Sequence, residues 1–149
     1  MGISEDIRQD SFRNNRLKAH INILYSYNWL RDKITPTFKT HGLLEQHFNV
    51  LKIVKGSHPK KVSPGYIIEV MLDKKRDLTR LVDKLVKLGL LDRNTNAVNR
   101  RKVEISITEK GLALVEQIDK ELINIEEGLM NLNEEEAGLL SDLLDKMRT

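Results

Sequence analysis

The chain has 149 residues, 32% of them charged and 40% hydrophobic, with a formal net charge of +3 and no cysteine. That length suits one domain with a real core, or a small domain with an extension, and the lack of cysteine excludes disulfides, thiolate metal sites, thiol redox sensing and a cysteine nucleophile. No apolar run approaches the roughly 20 residues that span a bilayer, and the start MGISEDIRQD lacks the basic-then-apolar pattern of a secretion signal, so the expected compartment is the cytoplasm.

Residues 5–33 read as one long helix, with Ile7, Leu17, Ile21, Leu24, Asn28 and Trp29 at helical steps and Phe12 and Tyr25 close to the same face. Pro36 is expected to stop it, with Thr35 biased towards extended geometry. A helix this long in so small a chain has more apolar face than one compact core can cover. A second subunit is therefore the expected cover, with a long arm across its own domain as the alternative. Residues 43–55, LLEQHFNVLKIVK, form a second helix with Leu44, Phe48, Leu51 and Val54 or Val50 as its buried stripe. After the loop SHPKK, Ser63 suits an N-cap and Pro64 a first turn. That third helix runs to about Met71, with Ile67, Ile68, Val70 and Met71 as core candidates, and Leu72 to Lys75 is the turn that follows.

The stretch Lys74–Thr108 governs the functional reading. Leu78, Leu81, Val82, Leu85 and Leu88 make one apolar stripe, Arg76, Thr79, Arg80, Asp83 and Lys87 fall opposite, and Gly89 ends a helix over 74–88. A short strand, Leu90–Arg93, leads to a turn-rich tip, Asn94–Asn99. Then come Arg100-Arg101-Lys102 and the alternation Val103, Ile105, Ile107 of a half-buried strand. Residues 74–102 hold ten Lys/Arg against three Asp/Glu, a balance of +7, whereas residues 1–73 balance at +4 and residues 103–149 at −8. A near-neutral chain has placed its positive charge on one helix and one hairpin, which suits duplex DNA. A merely solvated basic surface is the alternative, and the order helix then arginine-edged hairpin weighs against it.

Thr108 can cap the next helix, whose Leu112, Val115, Ile118, Leu122, Ile125 and Leu129 recur over about twenty residues. Asn131–Asn133 breaks the pattern, and Glu134–Glu136 opens a last helix with Ala137, Leu140, Leu143, Leu144 and Met147 on one face. The fold class that emerges is mainly α: an α+β winged helix-turn-helix over 38–108, with long helices in 1–37 and 109–149 forming a dimerisation region. The histidines, His20, His41, His47 and His58, lack the spacing or cysteine partners of a zinc site, so no metal is expected. There is no Gly-rich phosphate loop and no serine elbow, so neither an enzyme nor a cofactor is expected.

The runs DLTRLVDKLVKLGLLDRN and NRRKVEISITEKGLALV resemble the MarR family of bacterial winged helix-turn-helix regulators. The resemblance rests on the TRLVDKL core, the GL step, the paired arginines and the TEKG start of the following helix. By motif it covers residues 44–118. It implies an obligate homodimer whose terminal helices interlock, a pseudo-palindromic operator, and release of DNA when a small, often aromatic, molecule binds between the dimerisation and DNA-binding parts. Two departures stand out: Asn99 replaces the usual aspartate of a D-x-R pattern ending at Arg101, and MLDKK has Leu72 and Asp73 where a small residue is common.

On this basis Arg76, Asp77, Thr79 and Arg80 are the candidates for base edges in the major groove, with Lys74, Lys75 and Lys84 as phosphate contacts and Ser63 as a phosphate donor. The wing, 92–103, brings Asn99, Arg100 and Arg101 to the minor groove, and the sequence does not say which arginine enters it and which braces the hairpin. His20, Tyr25 and Trp29 are candidates for an effector pocket, with core or interface packing as the alternative. The reading is a sequence-specific, homodimeric regulator of transcription, a repressor relieved by a small molecule. The competing readings are a winged helix used for protein contacts and a ligand-binding protein without DNA function.

Overall fold

The computed structural model describes residues 2–129 and 131–149. The elements in order are α1 (Ile3–Asp6), α2 (Asn15–Thr40), α3 (Glu45–Ser57), α4 (Pro64–Val70), α5 (Leu78–Lys87), β1 (Leu91–Thr95), β2 (Val103–Ile107), α6 (Glu109–Leu129) and α7 (Glu134–Arg148).

The single N-terminal helix expected over 5–33 is instead two helices and a break. Asn14 starts the second one, its side chain accepting the N–H of Leu17 at 2.9 Å. Pro36 does not stop α2, which runs on to Thr40. A proline inside a helix costs about 3 kcal/mol, and the end of α2 offsets this by what it buries. Phe38 is buried, its ring centroid 5.3 Å from that of Phe48, and burying a side chain of that size is worth ~1.5–3 kcal/mol before the aromatic contact is added. Thr35 donates its hydroxyl to the Arg31 carbonyl at 2.7 Å, within the turn that Pro36 weakens.

The core lies under α3, α4, α5 and the hairpin, closed by α6. Val50, Leu51 and Val54 of α3, Ile67 of α4, Leu78, Leu81, Val82 and Leu85 of α5, and Val115 and Ile118 of α6 meet there. Both valines of α3 are buried, but Leu44 is not: it lies one residue before α3 and is half exposed. In α4 only Ile67 is buried, followed by Met71 just past its end, while Ile68 and Val70 face outward. Ile67 and Met71 are one turn apart and share the buried face, from which Ile68 is turned by about 100°. On α6, Val115 and Ile118 are fully buried and Leu112 and Leu122 partly so; the side chain of Leu129 lies outside the described residues.

Gly89 ends α5 at φ +73°, where any other residue would be strained. The Leu90 N–H then closes onto the Leu85 carbonyl at 2.9 Å, and the chain enters β1. β1 and β2 pair antiparallel from Leu91↔Ile107 to Thr95↔Val103; β2 lies where its alternation places it, while β1 starts one residue and ends two residues later than the expected Leu90–Arg93. Val62, within the loop before α4, adds a bridge to the other edge of β2, exchanging both backbone hydrogen bonds with Ile105 at 2.9 and 2.8 Å. Thr108 joins wing to α6: its hydroxyl donates to the Gly89 carbonyl at 2.7 Å and accepts the Gly111 N–H at 3.0 Å.

His47, in the first turn of α3, is 4% exposed, and its Nδ1 accepts the Leu44 N–H at 2.9 Å. The ring is therefore neutral with its proton on Nε2. Burial first, and positive Lys84 second, hold its pKa below the ordinary 6.5. The unfolded chain takes up this proton more readily than the folded one, so stability from this group is complete above pH 6.5 and is lost as pH falls from there through the depressed value. Between about pH 7.5 and about pH 5.5 the urea midpoint should fall, and fall less in His47→Asn, which keeps an acceptor but cannot titrate. Parallel pH profiles would remove His47 as the cause.

Candidate nucleic-acid interface

The turn between α4 and α5 carries three of the expected contact residues outside any helix. Lys74, Lys75 and Arg76 precede α5 rather than belonging to it, because Asp77 is the N-cap and sets the start at Leu78. The expected helix of 74–88 is thus ten residues long. With Leu78, Leu81, Val82 and Leu85 facing the core, Thr79, Arg80, Asp83, Lys84 and Lys87 are exposed. Arg80 is the most open of the paired cations, with 88% of its side chain accessible.

Not every candidate is free to meet a base. Asp77 accepts the Arg80 N–H at 3.4 Å and lies 3.4 Å from Arg80 Nε, so its carboxylate is engaged within α5. Ser63 caps α4, its Oγ accepting the Tyr66 N–H at 3.1 Å, and its hydroxyl hydrogen remains available to a phosphate. Asn99 turns back on the wing, its Oδ1 accepting the Arg101 N–H at 3.1 Å, so it shapes the tip. Arg100 and Arg101 are both exposed at that tip.

The wing is braced by groups that local patterning does not reveal. Asn96 accepts the N–H groups of Val98 and Asn99 at 2.9 and 3.0 Å and donates to Glu104 at 2.7 Å. Arg93 of β1 donates to Asp83 of α5, so helix and wing are bonded to each other as well as packed. The only sequence signal for that pair is opposite charge ten positions apart, which does not single it out. The exposed cations Lys74–Arg76, Arg80, Lys84, Arg100 and Arg101 thus lie on a turn, a helix and a wing, and the last two are joined by that bond.

Two cavities lie among the helices. One, of about 320 Å³, sits between α2, α3 and α6, with apolar walls from Leu30, Ile34, Phe38, Phe48 and Leu122 and polar groups from Glu45, Asn49, Lys52 and Glu126. The other, of about 340 Å³, lies where α1 meets α2 and includes Tyr25 and Trp29 but not His20. Among the described residues no group of three or more His, Asp or Glu is arranged to hold a metal ion, and no helix is long and apolar enough to cross a membrane. His41 instead contacts Glu121 at 3.1 Å.

No family model matches the chain. It is similar to the HTH-type transcriptional regulator MhqR of Bacillus subtilis, 30% identical over 134 residues that make up 88% of this chain and 90% of that protein. Among solved structures it resembles a MarR mutant from E. coli complexed with operator DNA, with TM-score 0.73 and 24% identity over 92% of this chain and 99% of that one. It also resembles the organohalide-sensing regulator RdhR in its 2,4-dichlorophenol-bound form, with TM-score 0.80 and 17% identity over 94% and 85% of the two chains. The two structural likenesses carry the fold alone. Its 30% identity to MhqR along most of both chains, on the winged helix-turn-helix described above, places this chain in the MarR family of DNA-binding transcriptional regulators.

Proposed function

We propose that the protein is a homodimeric, sequence-specific repressor that binds a pseudo-palindromic operator and releases it when a small molecule binds. Residues 38–108 form the DNA-binding region, and 1–37 with 109–149 the dimerisation helices. α5 enters the major groove, with Arg76, Thr79 and Arg80 towards base edges and Lys74, Lys75, Lys84 and Ser63 on phosphates. The wing lies over the minor groove through Arg100 and Arg101. The observation that carries this is the joining of two elements that expose Arg80, Lys84, Arg100 and Arg101: Arg93 of β1 bonds Asp83 of α5.

Homodimerisation is supported by apolar surface that the single chain leaves open. Leu24, Tyr25, Tyr27 and Trp29 on α2, and Leu139, Leu140, Leu143 and Met147 on α7, are each more than two-fifths exposed. Such faces at both ends of one chain are what a helical dimer interface needs. Relief by a small molecule is supported by the apolar cavity between α2, α3 and α6, which adjoins α3 of the DNA-binding region and both long helices. RdhR, in its 2,4-dichlorophenol-bound form, is one ligand-bound relative in fold. The cavity suits an effector better than the surroundings of His20, Tyr25 and Trp29. Those lie on α2 among the uncovered residues, and His20 borders neither cavity.

The test is selection of duplexes from a random pool, followed by a salt titration of the winner. The expected product is a two-fold symmetric site, and log affinity should fall by about 0.9 per phosphate contact for each tenfold rise in salt. A shallow slope on every duplex would instead favour a winged helix used for protein contacts.

A further inference from the structure

The recognition segment contains one unit twice in succession, Asp73-Lys74-Lys75-Arg76 and Asp77-Leu78-Thr79-Arg80. In each unit one aspartate oxygen accepts a backbone N–H: that of Lys75 at 3.1 Å for Asp73, and that of Arg80 at 3.4 Å for Asp77. The other oxygen faces the Nε of the arginine three residues on, at 3.3 Å for Arg76 and 3.4 Å for Arg80. The repetition matters because both aspartates are anchored to the backbone, so each is a fixed point against which its arginine rests.

A carboxylate at Nε leaves both terminal guanidinium nitrogens unspent. Those two nitrogens form the fork that grips guanine O6 and N7 together. On electrostatic grounds alone, two carboxylates on a surface meant for a polyanion are a disadvantage. We infer that Asp73 and Asp77 are positioning residues for sequence readout, each holding the fork of Arg76 or Arg80 at a set angle towards the base edges. The inference rests on the reading that α5 lies in the major groove. In water these exposed pairs add little to stability. Once the groove has displaced the water around them the same pairs strengthen, and less side-chain freedom remains to be lost on binding.

Asp73→Asn and Asp77→Asn test this, since asparagine keeps the backbone acceptor and is an equally good N-cap. The measurement is the ratio of affinities for the duplex selected by the wild-type protein and for a scrambled duplex of the same composition, at one salt concentration. Asp77→Asn should lower that ratio by about tenfold, within the range set by one bidentate guanine contact. Affinity for the scrambled duplex should not fall, because a negative charge has been removed. In an Arg80→Ala background, Asp77→Asn should leave the ratio unchanged. Equal losses on both duplexes would reduce Asp77 to a structural cap, and an undiminished effect without Arg80 would break the link between them. If the wild-type protein enriches no sequence, the major-groove reading falls and this inference with it. If it enriches one and the ratio survives Asp77→Asn, the inference alone falls.

Discussion

Gly111→Ala should cost the fold about 3 kcal/mol, at the upper end of what overpacking by one methyl group does. Gly111 is the third residue of α6, where that helix leaves the base of the wing. A Cβ there would stand 2.2 Å from the Leu90 carbonyl oxygen and 2.7 Å from Ile107 Cγ1. Neither neighbour can step aside. The oxygen belongs to backbone whose carbonyl accepts the Thr108 N–H at 3.1 Å, and Ile107 is buried at the end of β2. α6 would have to lift from the hairpin, loosening the Thr108 hydroxyl from Gly89 and Gly111. Gly56→Ala is the control, since nothing lies within 4 Å of a Cβ there and α3 should gain somewhat less than about 1 kcal/mol in helix propensity. Urea unfolding of the two variants should move in opposite directions. Similar small shifts in both would mean that the α6–wing contact is slack.

Arg80→Ala should leave unfolding unchanged and weaken binding to the selected duplex by about 2 kcal/mol per half-site, a loss that a symmetric operator compounds. Arg80 lies opposite the buried face of α5 and is 88% exposed, so truncating it creates no cavity. Its loss on a scrambled duplex should be several-fold smaller, because there it contributes only its charge. Lys84→Ala supplies the contrast: a phosphate contact lowers both affinities alike. Gel-shift or anisotropy titration of both variants on both duplexes decides the matter, and parallel losses for Arg80→Ala would reassign it to the DNA backbone. That outcome would also remove the basis for Asp77 as a positioning residue, so the two experiments share one set of duplexes.

Much of this surface can be read from local sequence. The stripe of α5, its glycine stop at Gly89, the serine cap at Ser63, the threonine cap at Thr108 and the strand alternation of β2 all depend on neighbours within four positions. Three-residue hydrogen bonds and a 3.6-residue period are local physics, and each appears in the structure where the residue types place it. Asn133 shows the same thing at α7, accepting the Glu136 N–H at 2.9 Å while Glu136 returns a bond to the Asn133 N–H at 2.9 Å.

Tertiary structure alone decided the rest. Pro36 sits inside α2 because Phe38 is drawn into the core, and that burial outweighs a local preference to stop. Ile68 and Val70 are apolar and exposed because the short α4 shows only Ile67 to its neighbours. Val62 completes the hairpin's other edge, and Arg93 reaches Asp83, through contacts 43 and 10 residues apart in sequence. Such pairings depend on where whole elements come to rest, and that is set by the summed burial of a core rather than by any segment's own pattern. Composition and periodicity therefore determined that this chain would carry a basic helix and a basic ribbon. Packing determined how the two are joined, through Arg93 and Asp83.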